Sequence, residues 1–172
     1  RVAMGSRMMT QALPLIDGEA PLVRSKMPDE DNSYEAYYGE RMGAIKSKHS
    51  GTVLAVTPTE IKIRGVDRKI HNISTYNNFP YNRKTFIHST ATVEPGDKVK
   101  AGDLLAKSNF TDGKGVMALG KNVSVAYMPY KGYNYEDAIV MTESAAKRFS
   151  SEHLYQNDLD IDENTKVSMN SF

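Results

Sequence analysis

The sequence predicts a mainly β chain with a few short helices. Three observations predict it. Glu60-Ile61-Lys62-Ile63-Arg64 alternates strictly between charged and apolar residues, which gives a strand one wet and one buried face. Gly51-Thr52-Val53-Leu54-Ala55-Val56 is apolar and rich in β-branched residues, the composition of a packed strand. Gly96-Asp97 and Gly102-Asp103 are matching turn signals that bracket a short run around Val99.

Taken in order, residues 1–25 carry the Met-rich stretch Met4-Gly5-Ser6-Arg7-Met8-Met9 and then Gln11-Ala12-Leu13-Pro14. Met and Ala favour helix and Pro14 ends or kinks it. The Met4, Met8 and Met9 cluster is expected to fill core space. Residues 26–40 are polar, acidic and Tyr-rich, with Pro28 and Gly39, and predict a loop or insertion. Residues 41–112 predict a β module. Within it, Gly65 and Asp67 offer a turn, Asn72 to Thr85 predicts irregular chain around Pro80, and Phe86-Ile87-His88 predicts a short strand. Pro95-Gly96 suits a turn whose second central residue needs positive φ. Val99, Leu104 and Leu105 are expected to fill a thin core.

Residues 113–156 open on a loop at Gly113 and Gly115. Asn122 to Met128 predicts a strand with Val123, Val125 and Tyr127 on one side, closed by Pro129. Gly132-Tyr133-Asn134-Tyr135 predicts a turn and Ala138-Ile139-Val140-Met141 a buried run. Thr142 to Phe149 predicts a short helix with Thr142 or Ser144 as N-cap. Residues 157–172 form an acidic, then polar, tail expected to fray.

Composition narrows the function classes. The chain has 172 residues, is 40% hydrophobic and 25% charged, carries a formal net charge of +1, and contains neither Cys nor Trp. A chain of this length can bury about 68–70% of its unfolded surface, so one or two small domains are expected. Zero Cys excludes disulfide scaffolds, Cys-ligated zinc and thiol nucleophiles. The four His (His49, His71, His88, His153) show no helical ligand spacing, and no Zn is expected. Near-neutral charge argues against a free-standing, strongly basic nucleic-acid binder. No run of about 18 apolar residues would cross a membrane. With no charged-then-apolar leader either, a cytoplasmic location is expected.

The densest chemistry lies in Gly115 to Glu143. Adjacent Glu136 and Asp137 follow an aromatic turn. Consecutive side chains on extended chain point different ways, so one carboxylate can face a ligand while the other braces the loop. Hard oxygen donors of this kind suit Mg²⁺, and an ordinary solvated acidic turn fits the spacing as well.

Two resemblances carry the reading further. Ser50-Gly51-Thr52-Val53 followed by Val93 to Ala106 resembles the barrel-sandwich hybrid fold of biotinyl and lipoyl carrier domains. Such carriers present a lysine after Met at a hairpin tip, and this sequence has no Met-Lys step. A non-catalytic interaction module or carrier-like module of this fold is the alternative reading.

Ala118-Leu119-Gly120-Lys121-Asn122, Ala126-Tyr127-Met128-Pro129-Tyr130 and Gly132-Tyr133-Asn134-Tyr135-Glu136-Asp137-Ala138-Ile139 resemble, in order, motifs of the second-largest (β) subunit of multisubunit RNA polymerases. Arg1 to Pro14 is similar to an earlier motif of the same family. The resemblance runs from residue 1 to about residue 155. It implies part of a double-psi β-barrel with the barrel-sandwich-hybrid-like module inserted. It also implies a nucleotidyltransferase site shared with the largest (β′) subunit, whose own aspartate motif holds the catalytic Mg²⁺ and is absent here.

By matched position, Glu136 and Asp137 would lie near the second, nucleotide-borne Mg²⁺, acting through water. Arg1 would lie near the triphosphate, and Gln11 near the RNA 3′ region and the nucleotide. Lys121 and Asn122 would be on the substrate and RNA side. Implied partners are the β′ subunit, the remaining β segments, DNA template, RNA and NTP. Lys121 stands where the family has Gln, Tyr130 where it has Trp and Tyr135 where it has Phe. These departures suit a phage-type or otherwise atypical enzyme working in a bacterial cell. Because the chain opens on Arg1, inside a family motif, it is expected to be a middle piece of a longer subunit. Barrel strands missing from it are expected to come from elsewhere.

Overall fold

The computed structural model describes residues 2–28, 32–81 and 84–155. Arg1, Asn82, Arg83 and the tail from residue 156 lie outside the described residues, and so does the expectation that the tail frays. The molecule is mainly β with three short helices among the described residues.

The centre is a pair of small sheets. One has the order β4-β3-β2-β8 and is antiparallel throughout: β2 (Gly51–Val56), β3 (Glu60–Gly65), β4 (Ile70–Ser74) and β8 (Lys98–Val99). The other has the order β1-β9-β7: β1 (Ile45–Lys46), β9 (Leu104–Ser108) and β7 (Ser89–Ala91). Between them Val53, Ile61, Ile63, Val99, Leu105 and Ala106 form one core, with Ile45, Val56, Ile73 and Val93 packed against it. The alternation in β3 has the expected effect: Ile61 and Ile63 are fully buried while Arg64 is exposed. Leu104, expected in this core, is half-buried and packs beside Gly115 instead.

The Gly-Asp turns join the sheets. Gly96 and Gly102 both take positive φ (101° and 96°). Each glycine N–H reaches a carbonyl in or beside a strand, Gly96 that of Val53 in β2 at 2.8 Å and Gly102 that of Ser47, just after β1, at 2.8 Å. Each following Asp carbonyl accepts from the same strand residue, Asp97 from Val53 at 2.9 Å and Asp103 from Ser47 at 2.8 Å.

A second cluster contains Tyr38, Met42, Ile87, Phe110 and Met117. Its source corrects the loop reading over residues 34–40 of the 26–40 stretch, because α2 (Tyr34–Arg41) is a helix. Ser33 caps it by accepting the Ala36 N–H at 3.2 Å, and Glu35 sits in the first turn where the helix dipole favours it. Tyr38 turns inward, and Gly39 brings the helix against the Gly115 backbone. The Tyr-rich composition that suggested a loop is an apolar helix face. A smaller ladder, β5 (Phe79–Tyr81) with β6 (Thr85–Ile87), edges this cluster. Strands β4 and β5 correct the irregular reading at residues 72–74 and 79–81, while 75–78 stay irregular. Pro80 is tolerated because β5 is an edge strand.

Helix α1 (Val2–Gln11) ends before Pro14, as its sequence predicts. Met4 and Met8 are exposed, not core filler, because nothing among the described residues buries them. The Met9 side chain lies outside the described residues. Helix α3 (Glu143–Lys147) has the expected cap, Thr142 Oγ1 accepting the Ala145 N–H at 3.1 Å.

Two further expectations fail in the same stretch. Asn122 to Met128 pairs with no described strand, and Ala138 to Met141 is exposed. Both carry strand-like or buried-run sequence, but beyond Asn122 their side chains are exposed.

Candidate functional site

Residues 14–20 run between two distant parts of the chain. The Glu19 N–H donates to the Gly120 carbonyl at 2.8 Å, and the Ile16 N–H donates to the Ser150 carbonyl at 2.9 Å. The Glu152 N–H returns to the Pro14 carbonyl at 2.9 Å. Buried Pro14 and half-buried Gly18, whose Cα lies against the Ala118 carbonyl, let this segment sit close to its neighbours.

The Glu19 side chain gathers the polar groups there. Asn122 donates its backbone N–H to Glu19 Oε2 at 3.0 Å and its Nδ2 to the same oxygen at 3.2 Å. The same Nδ2 reaches the Ala20 carbonyl at 3.0 Å. Arg148 Nη2 donates to Glu19 Oε1 at 2.7 Å and to the Asn122 carbonyl at 3.3 Å. Lys121 Nζ donates to the Asp17 carbonyl and lies 3.7 Å from Glu19 Oε1, its side chain only 7% exposed. The Asn122 N–H, then the Arg148 guanidinium, stabilise the charged carboxylate and pull the Glu19 pKa down to about 2.

Lys121 and Asn122, expected on the substrate side, are therefore brought together on Glu19. In this conformation their donors face the protein. Neither Glu19 nor Arg148 was singled out in the sequence. Glu19 meets Asn122 and Arg148 across 103 and 129 positions, and no local spacing signals such a contact.

Between Asn122 and Arg148 the chain leaves the body as an arm. Its hydrogen bonds are local. Asn134 Oδ1 accepts the Tyr130 N–H at 2.9 Å, and Asn134 Nδ2 donates to the Met128 carbonyl at 2.7 Å. The Tyr133 N–H donates to the Tyr130 carbonyl at 3.0 Å, and Ala138 N–H to that of Tyr135 at 3.2 Å. Lys131, Gly132 and Glu136 all take positive φ (53°, 78° and 58°), so the loop turns sharply before the acidic pair and again at its first residue. Glu136 and Asp137 are exposed, and their carboxylates make no hydrogen bond or ion pair among the described residues. They are not brought against Lys121 or Asn122. Gln11 lies exposed at the end of α1, and Arg1 is outside the described residues.

No group of three or more His, Asp or Glu side chains able to hold a metal occurs among the described residues. His49 and His71 stack face to face, with ring centroids 3.7 Å apart and 11° between planes. They line a groove of about 470 Å³ with Lys46, Lys48 and Ile70. No helix among the described residues is long and apolar enough to cross a membrane.

A family model described as RNA polymerase Rpb2, domain 6, matches residues 46–171. The chain is 38% identical, over 177 aligned residues, to the DNA-directed RNA polymerase subunit beta of Porphyromonas cangingivalis; the match covers 95% of this chain and 13% of that protein. It is 36% identical over 163 residues to the protein of the same name from Fusobacterium nucleatum subsp. nucleatum, covering 93% of this chain and 13% of the relative. The chain thus spans about 13% of the length of these curated relatives. Lys121, Asn122, Glu136 and Asp137 fall inside the family match; Gln11 precedes it.

Proposed function

The chain belongs to the RNA polymerase Rpb2 domain 6 family, and from that premise we propose that it works within the β subunit of a DNA-directed RNA polymerase, supporting nucleotidyl transfer by positioning the NTP triphosphate and its Mg²⁺ opposite the catalytic site of the largest subunit. The observation that carries this reading is the pair Glu136 and Asp137. Both are exposed on an arm that reaches away from the body, and neither carboxylate is paired among the described residues. Asn134 closes the loop, so both carboxylates stay open to an incoming group.

The donor chemistry fits a share in a Mg²⁺ site and not a complete one. Two unpaired carboxylates supply hard oxygens, while no cage of three acidic or imidazole groups is present among the described residues. Glu136 and Asp137 would hold the ion through its water, and the ion would offset charge passing to the leaving pyrophosphate. The chain's own contribution is placement. The sharp turn over 131–136 sets the direction of the carboxylates, and the tyrosines around them offer faces that exclude water once covered. Arg1, by its matched motif, would stabilise triphosphate charge as a guanidinium fork. Gln11 would hydrogen-bond near the RNA 3′ region.

The reading implies that the arm's exposed apolar surface is covered by the β′ subunit and remaining β segments, with DNA template, RNA and NTP at the assembled site. It places the protein in the cytoplasm of a bacterial cell. The test is RNA extension by the assembled polymerase carrying Glu136→Ala and Asp137→Ala together. The expected loss is about 100-fold in kcat, the scale of removing preorganised transition-state electrostatics. Extension at the unaltered rate would overturn the reading. The isolated chain is expected to synthesise no RNA.

A further inference from the structure

Glu19 lies outside the family motifs that carry the acidic pair, yet it touches both ends of the arm that bears them. Asn122 is the last residue before the arm and Arg148 the first after α3. Both donate to the same carboxylate, and Arg148 also reaches the Asn122 carbonyl at 3.3 Å. We infer that Glu19 is a positioning residue for nucleotidyl transfer: it clasps the base of the arm, residues 123–147, and so fixes where Glu136 and Asp137 are presented. This rests on the role proposed above for that pair.

Three features support the clasp. The arm has no other described tether: hydrogen bonds within residues 127–141 stay inside the arm, and its large side chains are exposed. Its position relative to the body is therefore set at its base. The base is built for charge: Glu19 faces two cations, with Lys121 mostly buried behind it and Arg148 at 2.7 Å. Such charge-assisted contacts are short and directional, which suits holding an angle more than adding bulk stability. Finally, the two body-side strand-like contacts, Glu19 with Gly120 and Leu15 with Ser151, flank the carboxylate and align the entering and leaving chain. A shift of about 1 Å at a reacting centre costs on the order of 100-fold, so an arm pivoting at its base reaches the chemistry directly.

The experiment uses the assembled polymerase with Glu19→Ala, Glu19→Gln and Arg148→Met, each alone and on the Glu136→Ala/Asp137→Ala background. Glu19→Ala is expected to lower kcat about 10- to 100-fold with a smaller change in the NTP KM. Glu19→Gln keeps an acceptor for the Asn122 N–H and loses the ionic contacts, so an intermediate loss is expected. Because Glu19 acts through the acidic pair, its effect on that background should fall below about twofold. Amide hydrogen exchange gives an independent readout: the Asn122 and Ile16 amides should lose protection in Glu19→Ala while β2 and β3 amides keep theirs.

A full multiplicative loss on the double-variant background, or unaltered kcat in Glu19→Ala, overturns the inference and leaves the role of the pair standing. Unaltered extension by Glu136→Ala/Asp137→Ala overturns both. Should Glu19→Ala fail to assemble, Glu19→Gln and Arg148→Met decide by the same comparison.

Discussion

Asp97 and Asp103 perform the same task in successive turns. Asp97 Oδ2 accepts the Glu94 N–H at 2.8 Å, and Asp103 Oδ2 accepts the Lys100 N–H at 2.7 Å. Each carboxylate closes its turn from within while the glycine before it donates to a backbone carbonyl of the body, that of Val53 or Ser47. The two turns are repeats of one device at opposite ends of β8.

The repeat predicts matched costs. Asp97→Ala and Asp103→Ala should each destabilise the chain by about 1 kcal/mol, the usual net value of such a bond. Gly96→Ala and Gly102→Ala meet no neighbouring atom, so their cost is backbone strain at positive φ, about 1 kcal/mol or more each. Urea denaturation of the four variants checks both statements. A near-zero effect at one turn and a large one at the other would break the equivalence.

Burial predicts a steep contrast within the sheets. Ile61 and Leu105 are fully buried, one on each side of the sandwich. Ile61→Ala and Leu105→Ala should each cost about 2–5 kcal/mol. Val66 is 84% exposed, and Val66→Ala should stay within about 0.5 kcal/mol of the unaltered chain. Thermal or urea unfolding measures all three.

Gly39 sets two effects against each other. Alanine in a helix is favoured over glycine by about 1 kcal/mol. A Cβ at this position would lie 2.0 Å from the Gly115 carbonyl oxygen, and both sides of that contact are backbone. The clash should win, and Gly39→Ala should destabilise by about 1–3 kcal/mol in denaturant titration. A stabilised variant would show that α2 can withdraw from Gly115 at little cost.

Acid should weaken the clasp at Glu19. Its folded pKa is held at about 2, below the ordinary carboxylate value of 4.5. The folded state then binds fewer protons than the unfolded chain, so this stabilisation is present above about pH 4.5 and is lost as pH falls through about 2. Glu19→Gln removes that dependence. The difference in Tm between the unaltered chain and Glu19→Gln should therefore shrink steadily from pH 5 to pH 2. A constant difference over that window would mean that the carboxylate's charge contributes nothing to folding.

What the sequence disclosed follows contact range. The alternation in Glu60 to Arg64 and the Gly-Asp turns depend on neighbours a few residues away, and both were legible. The Thr142 cap was legible for the same reason. Helix α2 was missed because tyrosine and glutamate in a polar setting resemble a loop until Tyr38 is seen to enter a core supplied by Ile87, Phe110 and Met117. The arm erred in the opposite direction. Val123, Val125, Ile139 and Val140 have the composition of packed chain, yet they are exposed, because nothing among the described residues packs over them. Glu136 and Asp137 stand out in the sequence as an acidic pair, and the motif resemblance alone offers them a role; the Glu19 clasp was not legible at all, since its members come together from three distant places.

Tyr127 is 98% exposed, Tyr135 77% and Ile139 83%, all within one arm. Apolar surface of this kind, left in water, is a liability for any single copy. Copies made in excess of whatever shields the arm would adhere to one another or be cleared by proteases that recognise orphaned chains. With the arm covered as proposed above, the working amount of this chain would follow the supply of that cover more than its own rate of synthesis.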